Sequence, residues 1–119
     1  MEPKIIIEGI DVVIKRDLAK HQILLERSKL ELTSYRQARS HEIKKKKHYK
    51  GLIGGGKYDD DALRKSMKDI AINIRHMSDK EKLSKDAIEH HTLIVDTLTQ
   101  QLDDYNIDIK ELYKARSAR

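Results

Sequence analysis

From Leu63 to Leu112, the positions of one stripe are spelled out by alternating steps of four and three. They are Leu63, Met67, Ile70, Ile74, Met77, Glu81, Ser84, Ile88, His91, Val95, Leu98, Leu102, Tyr105, Ile109 and Leu112. Twelve of these fifteen are apolar or aromatic. A period of 3.5 sustained this far predicts one long helix that pairs as in a left-handed coiled coil. The three polar members, Glu81, Ser84 and His91, cluster, and the nearby S-D-K-E of Ser78 to Glu81 has the pattern of a capping box. A break near Ser78 is therefore the alternative. No glycine or proline accompanies it, which favours continuity.

The first half of the chain carries a second stripe. Ile14, Leu18, His21, Leu25, Ser28, Leu32 and Tyr35 follow the same steps, with Ile23, Leu24 and Leu30 widening the apolar side. Past Ala38 the pattern fades into R-S-H-E-I-K-K-K-K-H-Y-K. Before it, K-I-I-I-E-G-I-D-V-V-I (4–14) is rich in β-branched residues, which predicts a short extended element. Four glycines in the six residues 51–56 break the helix. Asp59 or Asp60 then supplies a cap for the next one. The expected order is a β element over 1–14, a helix over 15–50, a glycine-rich hinge over 51–58 and a heptad helix over 59–116. The fold class that follows is mainly α, a long antiparallel helical hairpin or coiled coil with a short N-terminal β element.

Composition narrows the picture. The 119 residues suit one domain, apolar and charged residues each make up 38%, and Trp and Phe are absent. Such a chain has little material for a thick core, because aromatic side chains supply much of the burial in one. The absence of cysteine excludes disulfides, thiolate metal sites and cysteine nucleophiles. The apolar run near the N-terminus is short and interrupted by Glu8, Gly9 and Asp11, so neither a signal peptide nor a membrane span is expected. A cytoplasmic protein that does not engage membranes is the expectation.

Gly51 to Lys57 reads G-x-x-x-x-G-K, most of a phosphate-binding loop. Tyr58 stands where that loop needs a Ser or Thr for magnesium, and a highly polar stretch precedes it where a buried strand belongs. Three aspartates, Asp59 to Asp61, open the next helix and would repel phosphate there. The glycines are read as a hinge, with no cofactor expected.

Charge marks a different candidate. Arg36, Arg39, Lys44, Lys45, Lys46, Lys47, Lys50 and Lys57 face a single acid, Glu42, over residues 36–57, whereas residues 96–113 hold five acids and only Lys110. Four consecutive lysines point all round a helix and so predict a basic collar. The collar is expected to engage an acidic surface on a protein partner. The alternative is sequence-independent nucleic-acid binding through the same cations, with Tyr49 stacking on an unpaired base. The bland reading is a solvated helix end whose cations complement the helix dipole.

Six histidines occur, but none form a His-x-x-x-His pair, so no metal site is expected. His91 is read instead as a polar seam residue that fixes register and makes pairing sensitive to pH. No catalytic residue is assigned, because the acids lie in exposed helical contexts without an apolar pocket. With the fold centred near residue 54, positions beyond about 95 would run past a first helix that began at 15. Leu98, Leu102, Tyr105, Ile109 and Leu112 would then be left uncovered and carry self-association, giving a homodimer. The function expected from these features is that of a non-enzymatic coiled-coil interaction module, acting as an adaptor, inhibitor or assembly protein.

Overall fold

The computed structural model describes residues 3–117, with side chains described over 9–117. Two helices account for nearly all of them: α1 (Pro3–Leu52) and α2 (Asp60–Ser117), joined by a turn over 53–59. The fold is mainly α, a helical hairpin. Its contacts divide the chain into two units. A terminal unit combines Met1–Arg27 with Ile88–Arg119, and a turn unit comprises Ser28–Ala87.

The extended element expected over 1–14 is not formed. Residues 3–14 belong to α1, and residues 1–2 lie outside the described part. Pro3 fits this start, since a proline in the first turn lacks only an amide that has no helical partner anyway. Helix costs a β-branched residue only a few tenths of a kcal/mol relative to a good former. No strand is present among the described residues to reward the extended alternative. The helical period also reaches back to Asp11 and Ile14, both half-buried, while Ile10, Val12 and Val13 are exposed.

Along α2 the covered positions are those of the 3-4 stripe. Leu63, Ile70, Glu81 and Ser84 are buried, and the other stripe members up to Ile109 are half-buried. Leu112 is exposed. The alternative break near Ser78 is absent, because α2 runs through it unbroken. Glu81, which a capping box would have turned back onto Ser78, is instead drawn across to α1, where Arg39 Nε lies 2.7 Å from its Oε2.

On α1 the stripe does not end at Ala38. Arg39, Glu42, Lys46 and Tyr49 continue the same steps and are each half-buried. The heptad seam is therefore present, but charged side chains occupy three of those four positions. Their long aliphatic stems can cover apolar neighbours while the heads reach out.

The turn begins later than the glycines suggest. Gly51 and Leu52 remain helical, and Leu52 is half-buried. A single glycine costs a helix only about 1 kcal/mol, and α1 keeps going until two positions demand a left-handed backbone. Those are Gly54 (φ 82) and Gly56 (φ 74). Asp59 caps α2: its carbonyl accepts the Leu63 amide at 3.0 Å and its Oδ1 accepts the Asp61 amide at 3.3 Å.

Buried side chains are few and concentrated in the turn unit. Leu32, Leu63 and Ile70 form its apolar core, with Ser28, Glu81 and Ser84 as buried polar members. In the terminal unit no described side chain is buried. Its seam there includes His21 and His91, whose Nδ1 atoms meet at 3.1 Å.

Candidate functional site

The eight cations of the basic zone all lie in the turn unit, and the fold sorts them into different roles. Arg39 and Arg36 turn inward to Glu81. Arg39 Nη2 donates to Glu81 Oε1 at 3.3 Å, and Arg36 Nε lies 3.7 Å from the same oxygen. Glu81 is only 5% exposed, so two arginines hold one covered carboxylate. Arg39 is thereby a component of the helix pair. Arg36 keeps most of its side chain in solvent.

Three of the lysines that follow divide between two grooves. Lys46 and Lys50 of α1 border a groove of about 410 Å³ whose far wall is Arg64 and Lys68 of α2. Ile53, Met67 and Ala71 line it between them. Lys45 and Tyr49 border a second groove of about 200 Å³ with Ser66, Asp69, Ile70 and Asn73. Lys44 and Lys47 are exposed and border neither groove. Lys57 sits in the turn with its Nζ 5.6 Å from the Tyr58 ring centre, within the range of a weak cation–π contact. The collar inferred from four consecutive lysines is thus supplemented from the other helix on one side, and opposed by a carboxylate on the other.

Arg64 and Lys68 were not legible as part of this site from the sequence. They are one helical turn apart, which puts them on the same face of α2. Nothing in their own neighbourhood reveals that this face stands beside Lys46 and Lys50. Arg64 also has Asp61 Oδ1 at 3.6 Å, an exposed pair that leaves the arginine largely available. Glu42, the one acid within residues 36–57, is half-buried at the seam, and its Oε2 has no hydrogen-bond partner among the described residues.

The turn answers the phosphate-loop resemblance in its own chemistry. The Gly54 amide, of the kind that would cradle a phosphate, donates to Asp60 Oδ1 at 3.0 Å. A carboxylate of the chain itself fills the role of the anion, and two helices flank the loop in place of a strand and a helix.

The stripe members read as the self-association surface lie in the terminal unit. Leu98, Leu102, Tyr105 and Ile109 are half-buried there and Leu112 is exposed. The other element of that unit is the beginning of α1, which reaches Pro3 and is longer than the sequence suggested. α1 thus begins at Pro3, ahead of the start at 15 from which the overhang past residue 95 was reckoned. The covering is nevertheless partial. Ile10, Val12, Val13, Ile107 and Tyr113 of the same unit are also exposed.

His21 of α1 and His91 of α2 form a polar contact within the terminal unit. Their rings lie 5.3 Å apart centre to centre, and His90 lies 5.2 Å from His91. Burial at the seam holds the His91 pKa below its ordinary value of 6.5, and the nearby rings of His21 and then His90 lower it further. Among the described residues no group of three or more His, Cys, Asp or Glu is placed to hold a metal ion. Nor is any helix among them long and apolar enough to cross a membrane.

No protein-family model, curated protein or solved structure matches the chain.

Proposed function

We propose that the chain is a non-enzymatic coiled-coil interaction module that self-associates through its terminal unit and offers the cationic side of its turn unit to an acidic protein partner. The observation that carries this reading is the contrast between the units. The heptad stripe of α2 buries Leu63 and Ile70 in the turn unit, with Met67, Ile74 and Met77 half-buried beside them, but has no buried member in the terminal unit, where Leu98, Leu102, Tyr105 and Ile109 are half-buried and Leu112 is exposed. Covering the exposed third or less that remains of such a Leu or Ile adds up to roughly 0.5–1 kcal/mol per side chain. A second copy presenting the same stripe supplies that cover, as in a four-helix bundle.

Nucleic-acid binding through the same cations is the competing reading. It is weakened by the surroundings of Tyr49. The ring meant for base stacking borders a groove with Asp69, whose carboxylate repels a phosphate backbone.

Size-exclusion chromatography with light scattering, run alone and with a short DNA and a short RNA at low and moderate salt, tests the proposal. A dimer indifferent to both nucleic acids supports it. A nucleic-acid complex that dissolves as salt rises transfers the basic side to the competing reading. A monomer that binds neither overturns the self-association argument.

A further inference from the structure

The two grooves bordered by the basic zone differ in a way that selects an occupant. The second groove pairs one lysine with Asp69 and so is close to neutral. The first has four cations on its walls, Lys46, Lys50, Arg64 and Lys68, and no acid among the residues that line it. Its lining between those walls is aliphatic: Ile53, Met67 and Ala71. Cations alone would serve any anion. An aliphatic strip between two cationic walls is matched by a ligand that carries carboxylates on its flanks and a branched aliphatic side chain between them.

We propose that this groove seats an acidic amphipathic helical segment of a partner protein, with an aliphatic side chain on Met67 and Ile53 and flanking carboxylates on Lys50, Arg64 and Lys68. The proposal rests on the reading of the basic region as a protein-binding surface and names the part of it that does the binding. A groove between two helices is the usual receptor for the apolar face of a third. Methionine suits the position, because its unbranched, polarisable side chain reshapes around different aliphatic partners. Arginine suits the wall, because its planar fork can bind a carboxylate through two parallel hydrogen bonds.

The aliphatic lining between the cations decides between an acidic protein segment and other anions. A nucleic acid would satisfy the cations but place sugar or base against Met67 and Ile53, with no aromatic ring in this groove to stack on. The nearest tyrosine in sequence to Lys50, Tyr49, borders the other groove. A leucine-bearing acidic helix uses both the walls and the lining.

The test uses the full chain and three fluorescein-labelled probes: a synthetic helical peptide of Glu with Leu repeated along one face, the same peptide with every Leu replaced by Ser, and an oligothymidylate. Fluorescence anisotropy at low salt reads their affinities. Burying one leucine side chain is worth about tenfold or more in affinity, so the Leu peptide is expected to bind at least about tenfold tighter than its Ser counterpart. The double variant Arg64→Glu/Lys68→Glu should weaken the Leu peptide by about tenfold or more through lost and reversed charge contacts. Lys44→Glu/Lys47→Glu changes net charge equally but touches only exposed lysines outside the groove, and should stay within about threefold of the wild type. Residues 64 and 68 are exposed on α2, and glutamate is a good helix former, so the variant keeps its fold.

Equal binding of the two peptides, or equal damage from the two double variants, overturns the groove while leaving acidic-partner binding by the collar intact. Absence of binding by both peptides, or tighter binding of oligothymidylate, overturns the groove and the protein-binding reading together.

Discussion

Arg39 of α1 reaches across the turn unit to Glu81 of α2, with Nε 2.7 Å from Oε2 and Nη2 donating to Oε1 at 3.3 Å. Each residue sits at a heptad position that an apolar side chain would normally fill. An ion pair with one buried member is weak support for stability, since desolvation of that member offsets much of the attraction, but breaking it leaves one charge without its partner. Glu81→Ala is therefore expected to lower stability by about 1–3 kcal/mol in urea unfolding near pH 7. Arg39→Leu/Glu81→Leu should be as stable as the wild type or more so, while light scattering shows additional oligomeric species because a register-fixing pair has gone. An unchanged midpoint in Glu81→Ala would show that the pair holds nothing.

That pair also explains which parts of the fold the sequence reveals. The α2 seam was legible at fourteen positions, Leu63 to Ile109, because its few polar members sit inside a long run of Leu, Ile, Val and Met; Leu112 alone of the fifteen is exposed. The α1 seam was legible only to Tyr35. Beyond it Arg39, Glu42 and Lys46 hold the seam positions, and a hydropathy pattern records their charge without their placement. The N-terminal stretch misled for the converse reason: Ile and Val favour strands locally, yet a strand needs a mate that this chain does not provide among its described residues. The basic zone was visible in composition. Its division into two grooves required the pairing of Lys46 and Lys50 with Arg64 and Lys68, which is tertiary information.

The contact between His21 and His91 gives the terminal unit a dependence on pH. Two Nδ1 atoms 3.1 Å apart share one proton when both rings are neutral, one donating and the other accepting. Protonation of the acceptor leaves two donors face to face. The group facing His91 from α1 is His21, and on α2 it is His90. With the folded-state pKa of His91 lowered from 6.5, the unfolded chain binds its proton more readily. The stability tied to this residue is thus complete above about pH 6.5 and declines as pH falls from there toward the lowered folded value. The thermal midpoint of the wild type should drop between about pH 7 and about pH 5.5, and His21→Leu/His91→Leu should show a smaller drop over the same window. Parallel curves for the two proteins would place the pH dependence elsewhere.

Two glycines, Gly51 in α1 and Gly54 in the turn, should respond to alanine with opposite signs. Gly54 has φ 82, and an added Cβ meets nothing within 4 Å, so the cost of Gly54→Ala is backbone strain alone. About 1–2 kcal/mol of destabilisation is expected. Gly51 lies within α1, also with open space around an added Cβ, and Gly51→Ala should stabilise by about 0.5–1 kcal/mol through the unfolded state. Denaturant midpoints measured on both variants separate the two effects. Destabilisation by Gly51→Ala would mean that α1 stops short of Leu52 in solution.

The self-association reading turns on Leu112. It lies on the α2 stripe but is exposed, so within a single chain it has little packing to lose. Leu112→Glu should therefore change the stability of a monomer by no more than about 0.5 kcal/mol. In a dimer sealed by the terminal units the same change puts a carboxylate into an apolar seam already bordered by Asp108 and Glu111 of its own helix. Desolvation and like charge then act together, and dissociation should become at least about tenfold easier. Light scattering over a dilution series reads that shift, and the unfolding midpoint of the wild type should rise with protein concentration while that of Leu112→Glu stays flat. A wild-type midpoint independent of concentration, with Leu112→Glu behaving identically, would leave the terminal stripe without a second copy to cover it.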